Sequence, residues 1–250
     1  MLNNLKILFR QGKQFIPDVR TAEVPGIFRG RPVISRAPVD EEQLLRLCPT
    51  GAIGISPVSI DLGRCTFCGE CAVAFPGKIR FTKDYKIASN LRDRLIIREG
   101  EEQPVRVDPD SVRKEIRRIF GGSLKLRQVS AGGDNSCEME LNAAGNVNFD
   151  MGRFGIEFVA SPRHADGLVI TGPVTENMAE PLRICYEAIP SPKLIILAGT
   201  DAISGGIFED SPALDRSFLD QYPVDLYIPG NPVHPLTFIN GVLDLIGRKR

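Results

Sequence analysis

Cys65, Cys68 and Cys71 stand at the spacing C-x2-C-x2-C in the stretch Arg64-Cys65-Thr66-Phe67-Cys68-Gly69-Glu70-Cys71, and Pro76 closes the run. Thiolates are soft ligands that select zinc, copper(I) or iron–sulfur clusters. Three of them within seven residues can wrap one face of a cubane, whereas structural zinc more often takes two separate C-x2-C pairs. A fourth ligand must come from elsewhere in the chain. A disulfide framework fits poorly, because the chain is long and nothing marks it as secreted.

The run resembles that of bacterial ferredoxins, C-x2-C-x2-C-x3-C-P, whose fourth cysteine ligates the other cluster of a pair. Phe75 occupies that fourth position here. Leu47-Cys48-Pro49-Thr50-Gly51 is similar to the close of the partner run, and the three positions before it that would hold a second cluster are Pro38, Glu41 and Leu44. The resemblance therefore implies one complete [4Fe–4S] cluster on Cys48, Cys65, Cys68 and Cys71, and one erased. An all-cysteine zinc site is the alternative.

Composition sets the limits around that site. The chain has 250 residues, 42% hydrophobic and 25% charged, enough for one large or two modest globular domains. Lys plus Arg and Asp plus Glu balance at 31 each, which gives no electrostatic case for nucleic acid. No apolar run reaches the ~18 residues of a membrane span. Lys6 and Arg10 interrupt the apolar N-terminus, which is a poor signal peptide.

The elements that must position the cysteines follow from periodicity. Residues 1–13 read as a basic amphipathic helix with Leu2, Leu5, Leu8 and Phe9 on one face, either packed in the core or lying on a membrane or partner subunit. Residues 14–39, with four prolines, should be extended and irregular. Asp40 can cap a short helix that delivers Cys48. A hairpin broken at Pro57 is expected over Ile53–Ile60 and another strand pair over Ile79–Ile87, both shielding the cluster. Residues 88–110 read as a linker containing a helix. From Ser111 the pattern alternates: a helix stopped by Gly121, strands at Leu124–Val129, Ile156–Ala160, Leu168–Thr171, Leu194–Ala198 and Val224–Ile228, a helix with Pro181 in its first turn, and a last helix from Pro235 to Ile246. That alternation means an open α/β sheet whose ligands sit beyond the strands' carboxyl ends. The fold class is thus α/β, a flavodoxin-like open parallel sheet over 111–250 preceded by a small α+β ferredoxin-like lobe over 40–87.

Three loops occupy the sheet's rim: 130–136, 199–206 and 229–233. Arg153-Phe154-Gly155-Ile156, Ala160-Ser161-Pro162-Arg163-His164-Ala165-Asp166, Thr171-Gly172-Pro173-Val174-Thr175, Asn177-Met178-Ala179-Glu180 and Ile228-Pro229-Gly230 resemble the small iron–sulfur subunit shared by group 4 energy-converting [NiFe] hydrogenases and complex I. Phe28-Arg29-Gly30-Arg31-Pro32 is similar to the lead-in of complex I's ferredoxin-type subunit, so two resemblances are fused in one chain. In the hydrogenase family the rim loops hold a second cluster with four cysteines. The matching positions are Asp134, Cys137, Asp201 and Asn231, of which only Cys137 remains a thiol. Oxygen donors suit a thiolate-bound cubane poorly, so no cluster is expected there.

The resemblance implies an electron-transfer subunit of an oxidoreductase complex rather than a standalone catalyst. Its partners would be a large subunit, membrane subunits and a ferredoxin-type or other electron donor, with the chain peripheral on the cytoplasmic face of the inner membrane. A scaffold subunit without through-domain electron transfer is the second reading, and a standalone ferredoxin–flavodoxin fusion binding FMN the third. Asp134 and Asp201 could form an acid/base pair or hard-metal site, but are expected to be solvated residues filling the vacated space. Cys185 reads as core, and His164 as a structural hydrogen-bonding residue. His234, after Pro232-Val233 near a helix start, carries no usable signal.

Overall fold

The computed structural model describes residues 2–12 and 14–248. The chain runs α1 (Leu2–Gln11), β1 (Pro32–Ile34), α2 (Glu41–Leu47), β2 (Ile53–Gly54), β3 (Ser59–Asp61), α3 (Glu70–Ala74), β4 (Ile79–Phe81), β5 (Ile96–Arg98) and α4 (Lys114–Phe120). It continues with β6 (Leu124–Ser130), α5 (Ser136–Ala144), β7 (Ile156–Phe158), β8 (Gly167–Thr171), α6 (Glu176–Glu187), β9 (Leu194–Ala198), α7 (Thr200–Ser204), α8 (Ser217–Gln221), β10 (Leu226–Ile228) and α9 (Pro235–Leu245).

Strands β6 to β10 form one five-stranded sheet in the order β10-β9-β8-β6-β7 with every pairing parallel. Counted from β6 this is 2-1-3-4-5, the flavodoxin-like doubly wound order, with its switch point between β6 and β8. All five residues of β8 and all five of β9 are buried, as central parallel strands covered on both faces must be. The continuous apolar runs Leu168-Val169-Ile170 and Leu194–Ala198 carry that burial. The α+β lobe has two small antiparallel sheets, β1-β4 and β2-β3-β5. Asp40 caps α2 by accepting the Gln43 N–H at 3.0 Å, and the hairpin β2-β3 turns at Ser56-Pro57.

Several element expectations need correction. Residues 79–87 supply only β4, whose partner is β1 from the lead-in. Pro32-Val33-Ile34 pairs there because proline is tolerated at the first residue of an edge strand. The helix expected within 88–110 is a single 3-10 turn, Arg92–Leu95, followed by β5 on the outer side of β3. Pro181 lies in the second turn of α6, which starts at Glu176, so its ring removes one i→i−4 bond inside the helix. The core-packing option for α1 fails: Leu5, Leu8 and Phe9 are 52%, 56% and 90% exposed. Met1 and Lys13, at the ends of the expected 1–13 helix, lie outside the described residues.

The lobe and one face of the parallel sheet share a buried cluster. Leu44, Ile60, Leu62 and Cys65 belong to the same core as Ile170, Leu197 and Ile203. The lead-in joins the opposite face, where Val19 and Val24 pack with Leu126, Leu236 and Phe238.

Candidate metal centre and the sheet rim

Helix α2 ends at Cys48, whose N–H bonds the Leu45 carbonyl. The loop after β3 carries Cys65, and α3 begins one residue before Cys71. All four cysteines line one small cavity with Leu47, Ala52, Ile53, Ile60, Gly69 and Phe81. Cys65 is buried, Cys48 and Cys71 are half-buried, and Cys68 is exposed. The Ala52 N–H points at Cys48 Sγ (3.2 Å) and the Phe67 N–H at Cys65 Sγ (3.3 Å), donors of the kind that favour thiolate charge. Against them, burial pushes the Cys65 thiol up to about 12 and Cys71 up to about 11, with the neighbouring cysteine charges adding to both. Among the described residues no three His, Cys, Asp or Glu side chains are grouped as a single metal ion would need; the four thiols line the walls of a cavity instead. The site's chemistry is four soft donors, apolar walls and main-chain N–H groups, which fits an iron–sulfur body with one cysteine per iron.

Of the four positions where a second ferredoxin cluster would be held, Leu44 and Phe75 are filled with packing, whereas Pro38 is exposed and Glu41 half-buried. Leu44 is fully buried and Phe75 packs against the same core. The lead-in motif holds the cysteine loop in place. Arg29 donates to the Phe67 carbonyl at 3.3 Å, and its guanidinium lies where a Cβ on Gly69 would meet it at 2.6 Å. Gly69 also needs its positive φ of 84°, so glycine is required on two counts. A Cβ on Gly30 would come within 2.1 Å of the Asp84 carbonyl oxygen. Sequence reasoning assigned no such role to Arg29 or Gly30; the Arg-Gly-Arg-Pro spacing was the available signal.

The lobe is fastened to the sheet's rim. Thr200, fully buried at the start of α7, donates its hydroxyl to the Cys65 carbonyl at 2.8 Å. Arg64 pairs with Glu209 across the same junction. Asp61 holds Arg92 through two bonds, 2.8 and 2.6 Å. Strand β10 bridges to Ser89 through Tyr227.

The rim loops converge on Cys137. A Cβ on Gly199 in the second loop would stand 2.6 Å from Cys137 Sγ, and the Val233 main chain of the third loop favours the sulfur's charged form. Burial pushes this thiol up to about 12, the signature of an inert protonated cysteine. Asp134 instead caps α5 from the surface, accepting the Ser136 N–H (2.9 Å) and hydroxyl (2.6 Å), which hold its carboxyl below the usual range. Asp201 departs from the expectation of a solvated residue. Its Oδ1 is buried without a hydrogen-bond partner, and burial, then Asp134 and Glu138, raise its carboxyl above the ordinary value. Asn231 lines a cavity of about 340 Å³ between Phe28-Arg29, Thr66-Phe67 and the third loop.

His234 lines that cavity and is a residue the sequence reading missed. Its Nδ1 accepts the Leu236 N–H at 3.2 Å, capping α9, and its ring meets Phe28 and Phe149 edge-on. His-Pro at a helix start was the signal, since Pro235 sits at the first helical position. His164 corrects an expectation in the other direction: it is exposed, and no side-chain hydrogen bond is found for it among the described residues. Cys185 packs half-buried against the core, as expected.

The part of the chain that carries most of this sheet is similar to known proteins. The family described as "NADH ubiquinone oxidoreductase, 20 Kd subunit" matches residues 135–245. A Pyrococcus furiosus protein named "Probable membrane-bound hydrogenase subunit mbhJ" is 36% identical over 129 residues, covering 52% of this chain and 77% of the relative. A subunit of the NADH-quinone oxidoreductase of Geotalea daltonii is 40% identical over 117 residues, 46% of this chain and 68% of the relative. The chain belongs to this family. "Formate hydrogenlyase subunit 7" of Escherichia coli is likewise similar, 40% identical over 150 residues that make up 59% of each chain. The family match covers α5 to α9 and begins at Asn135, so the cysteine-bearing lobe lies wholly before it. Among the described residues no helix is long and apolar enough to cross a membrane.

Proposed function

We propose that the chain is an iron–sulfur electron-transfer subunit of a membrane-associated complex of the hydrogenase or complex I type. The observation that carries this is the convergence of Cys48, Cys65, Cys68 and Cys71, from two separate runs, on one cavity. Those four side chains would hold a single [4Fe–4S] cluster, which when bound supplies one-electron transfer. The chain's own residues do the rest. The Ala52 and Phe67 N–H groups and the apolar walls set the surroundings on which a potential depends. The exposed Cys68 faces the surface, and Cys65 faces the rim through Thr200.

In this reading residues 1–39 are the lead-in, 40–87 the cluster lobe, 88–110 the connection and 111–250 the part that docks on a large subunit. Membrane subunits and a ferredoxin-type or other donor complete the assembly, on the cytoplasmic face of the inner membrane. The rim favours a second reading. With Asp134, Asp201 and Asn231 where the hydrogenase pattern has cysteines, the C-terminal domain would hold no cluster. It would then serve as a scaffold without through-domain electron transfer.

Anaerobic purification followed by iron and sulfide analysis tests the assignment. About four of each per chain, with one cubane signal on reduction, is the expected result. About eight iron with two interacting paramagnets would show a second cluster at the rim, and zinc in place of iron would overturn the site.

A further inference from the structure

A second cavity, about 440 Å³, lies at the carboxyl end of α9 and is lined by Arg20, Lys86, Arg106, Arg117, Arg248 and Asp244 among others. Helix α9 starts at the rim and runs back along the sheet for 11 residues, roughly 16 Å at about 1.5 Å per residue. The cavity is thus remote from both the cysteines and the rim loops. Its cations come from five separate parts of the chain: the lead-in, the segment after β4, the stretch before α4, α4 itself, and the residues after α9. The chain as a whole is neutral. Five cations and one carboxylate line this one cavity, a local concentration of charge.

Part of that charge has a structural use. Arg20 pairs with Asp244 at 2.6 Å and donates to the Arg248 carbonyl at 2.8 Å. Arg117 reaches the carbonyls of Leu245 and Asp244 at 3.4 and 3.5 Å, where the helix end carries about half a negative charge. Lys86 donates to the Arg20 carbonyl at 3.2 Å. Carbonyls orient cations without neutralising them. Lys86, Arg106 and Arg117 have no carboxylate partner among the described residues, and Arg106 is exposed and makes no described hydrogen bond. After the helix end is counted, Lys86, Arg106 and Arg117 still bring roughly two and a half positive charges to one concavity. Like charges gathered from five segments repel one another, and a dianionic oxyanion relieves that repulsion. Guanidinium forks match phosphate oxygens bidentately, and a phosphate group carries about −1.5 to −2 at neutral pH.

We infer that this cavity binds a phosphate group, held by Lys86, Arg106 and Arg117, with room beside it for an organic body. A free phosphate compound and an anionic lipid headgroup share that chemistry, and the test separates them. The iron-loaded full chain is titrated calorimetrically with inorganic phosphate, and co-sedimented with vesicles of phosphatidylcholine alone or mixed with phosphatidylglycerol. Arg106→Gln should weaken whichever binding is found by threefold or more, and Lys86→Gln with Arg106→Gln by at least tenfold, with unchanged iron content and circular dichroism. Arg118→Gln, an exposed cation of α4 outside the cavity, removes the same charge and should leave binding alone. Phosphate binding places the ligand in solution, and binding only to the phosphatidylglycerol vesicles places it in a lipid surface. Binding of neither, or equal loss in Arg106→Gln and Arg118→Gln, overturns the inference.

Discussion

The cysteine lobe and the rim of the parallel sheet are two loop-built concavities joined by one buried hydroxyl, Thr200 on the Cys65 carbonyl, and they treat polar atoms in opposite ways. In the lobe four thiols line one cavity and two of them already receive main-chain N–H groups. At the rim the backbone convergence persists around Cys137, but the side chains have scattered. Asp134 is exposed and bonds Ser136 at the start of α5, Asn231 lines the cavity beside Phe28, and Asp201 keeps a buried oxygen unpaired. Loop geometry and ligand chemistry are therefore separable. Glycines and main-chain bonds hold the first, as at Gly199, where a Cβ would strike Cys137, while the second rests on the side chains at Asp134, Asp201 and Asn231.

The largest effect expected is in the lobe. Cys68→Ser should abolish cluster uptake and open residues 40–85 to proteolysis, because metal binding becomes folding energy. Cys185→Ser should leave iron unchanged. Iron analysis and limited proteolysis read both outcomes, and equal iron loss would mean that the ligand set is wrong.

Restoring thiols to the rim sharpens the comparison from the other side. Asp134→Cys, Asp201→Cys and Asn231→Cys together recreate four thiolates with Cys137, and anaerobic reconstitution should raise iron from about four to about eight per chain. Each single change should add none, since two oxygen donors remain. A folded triple variant with no added iron would show that the rim loops no longer present four side chains to one cluster.

The smallest effect concerns Asp201. Burial raises its carboxyl above the ordinary 3.8, so its neutral form is the one folding favours. Stability from this group is complete below the unfolded value and is lost as pH rises through the folded one. Asp201→Asn should raise Tm modestly at pH 7, with the gain disappearing below about pH 4. A Tm gain that is the same at both pH values would show that packing, and not charge, decides this position.

The N-terminal helix and the lobe's edges show where one-dimensional reading stopped. The amphipathic pattern of residues 1–13 was plain, yet periodicity alone does not say what an apolar face meets; the structure leaves Phe9 90% exposed. Pairing of β1 with β4 joins segments almost fifty residues apart, and nothing local in Pro32-Val33-Ile34 announces it. Pro181 misled because the helix start at Glu176 depends on Thr175, which is bridged through its strand-like backbone to Leu214.

The sequence by itself determined what depends on residue type and short spacing. The four cysteines were legible as candidate soft ligands because thiols at C-x2-C-x2-C have few other uses. The parallel sheet was legible because buried strands must be continuous apolar runs, and the α2 cap because Asp40 stands three residues before Gln43. Tertiary structure alone decided how distant groups meet: Arg29 over Gly69, Thr200 on the Cys65 carbonyl, the unpaired oxygen of Asp201, and five cations from five segments in one cavity. Those contacts rest on distances set by the packing of both lobes into shared cores, and no local pattern encodes a distance between residues a hundred positions apart.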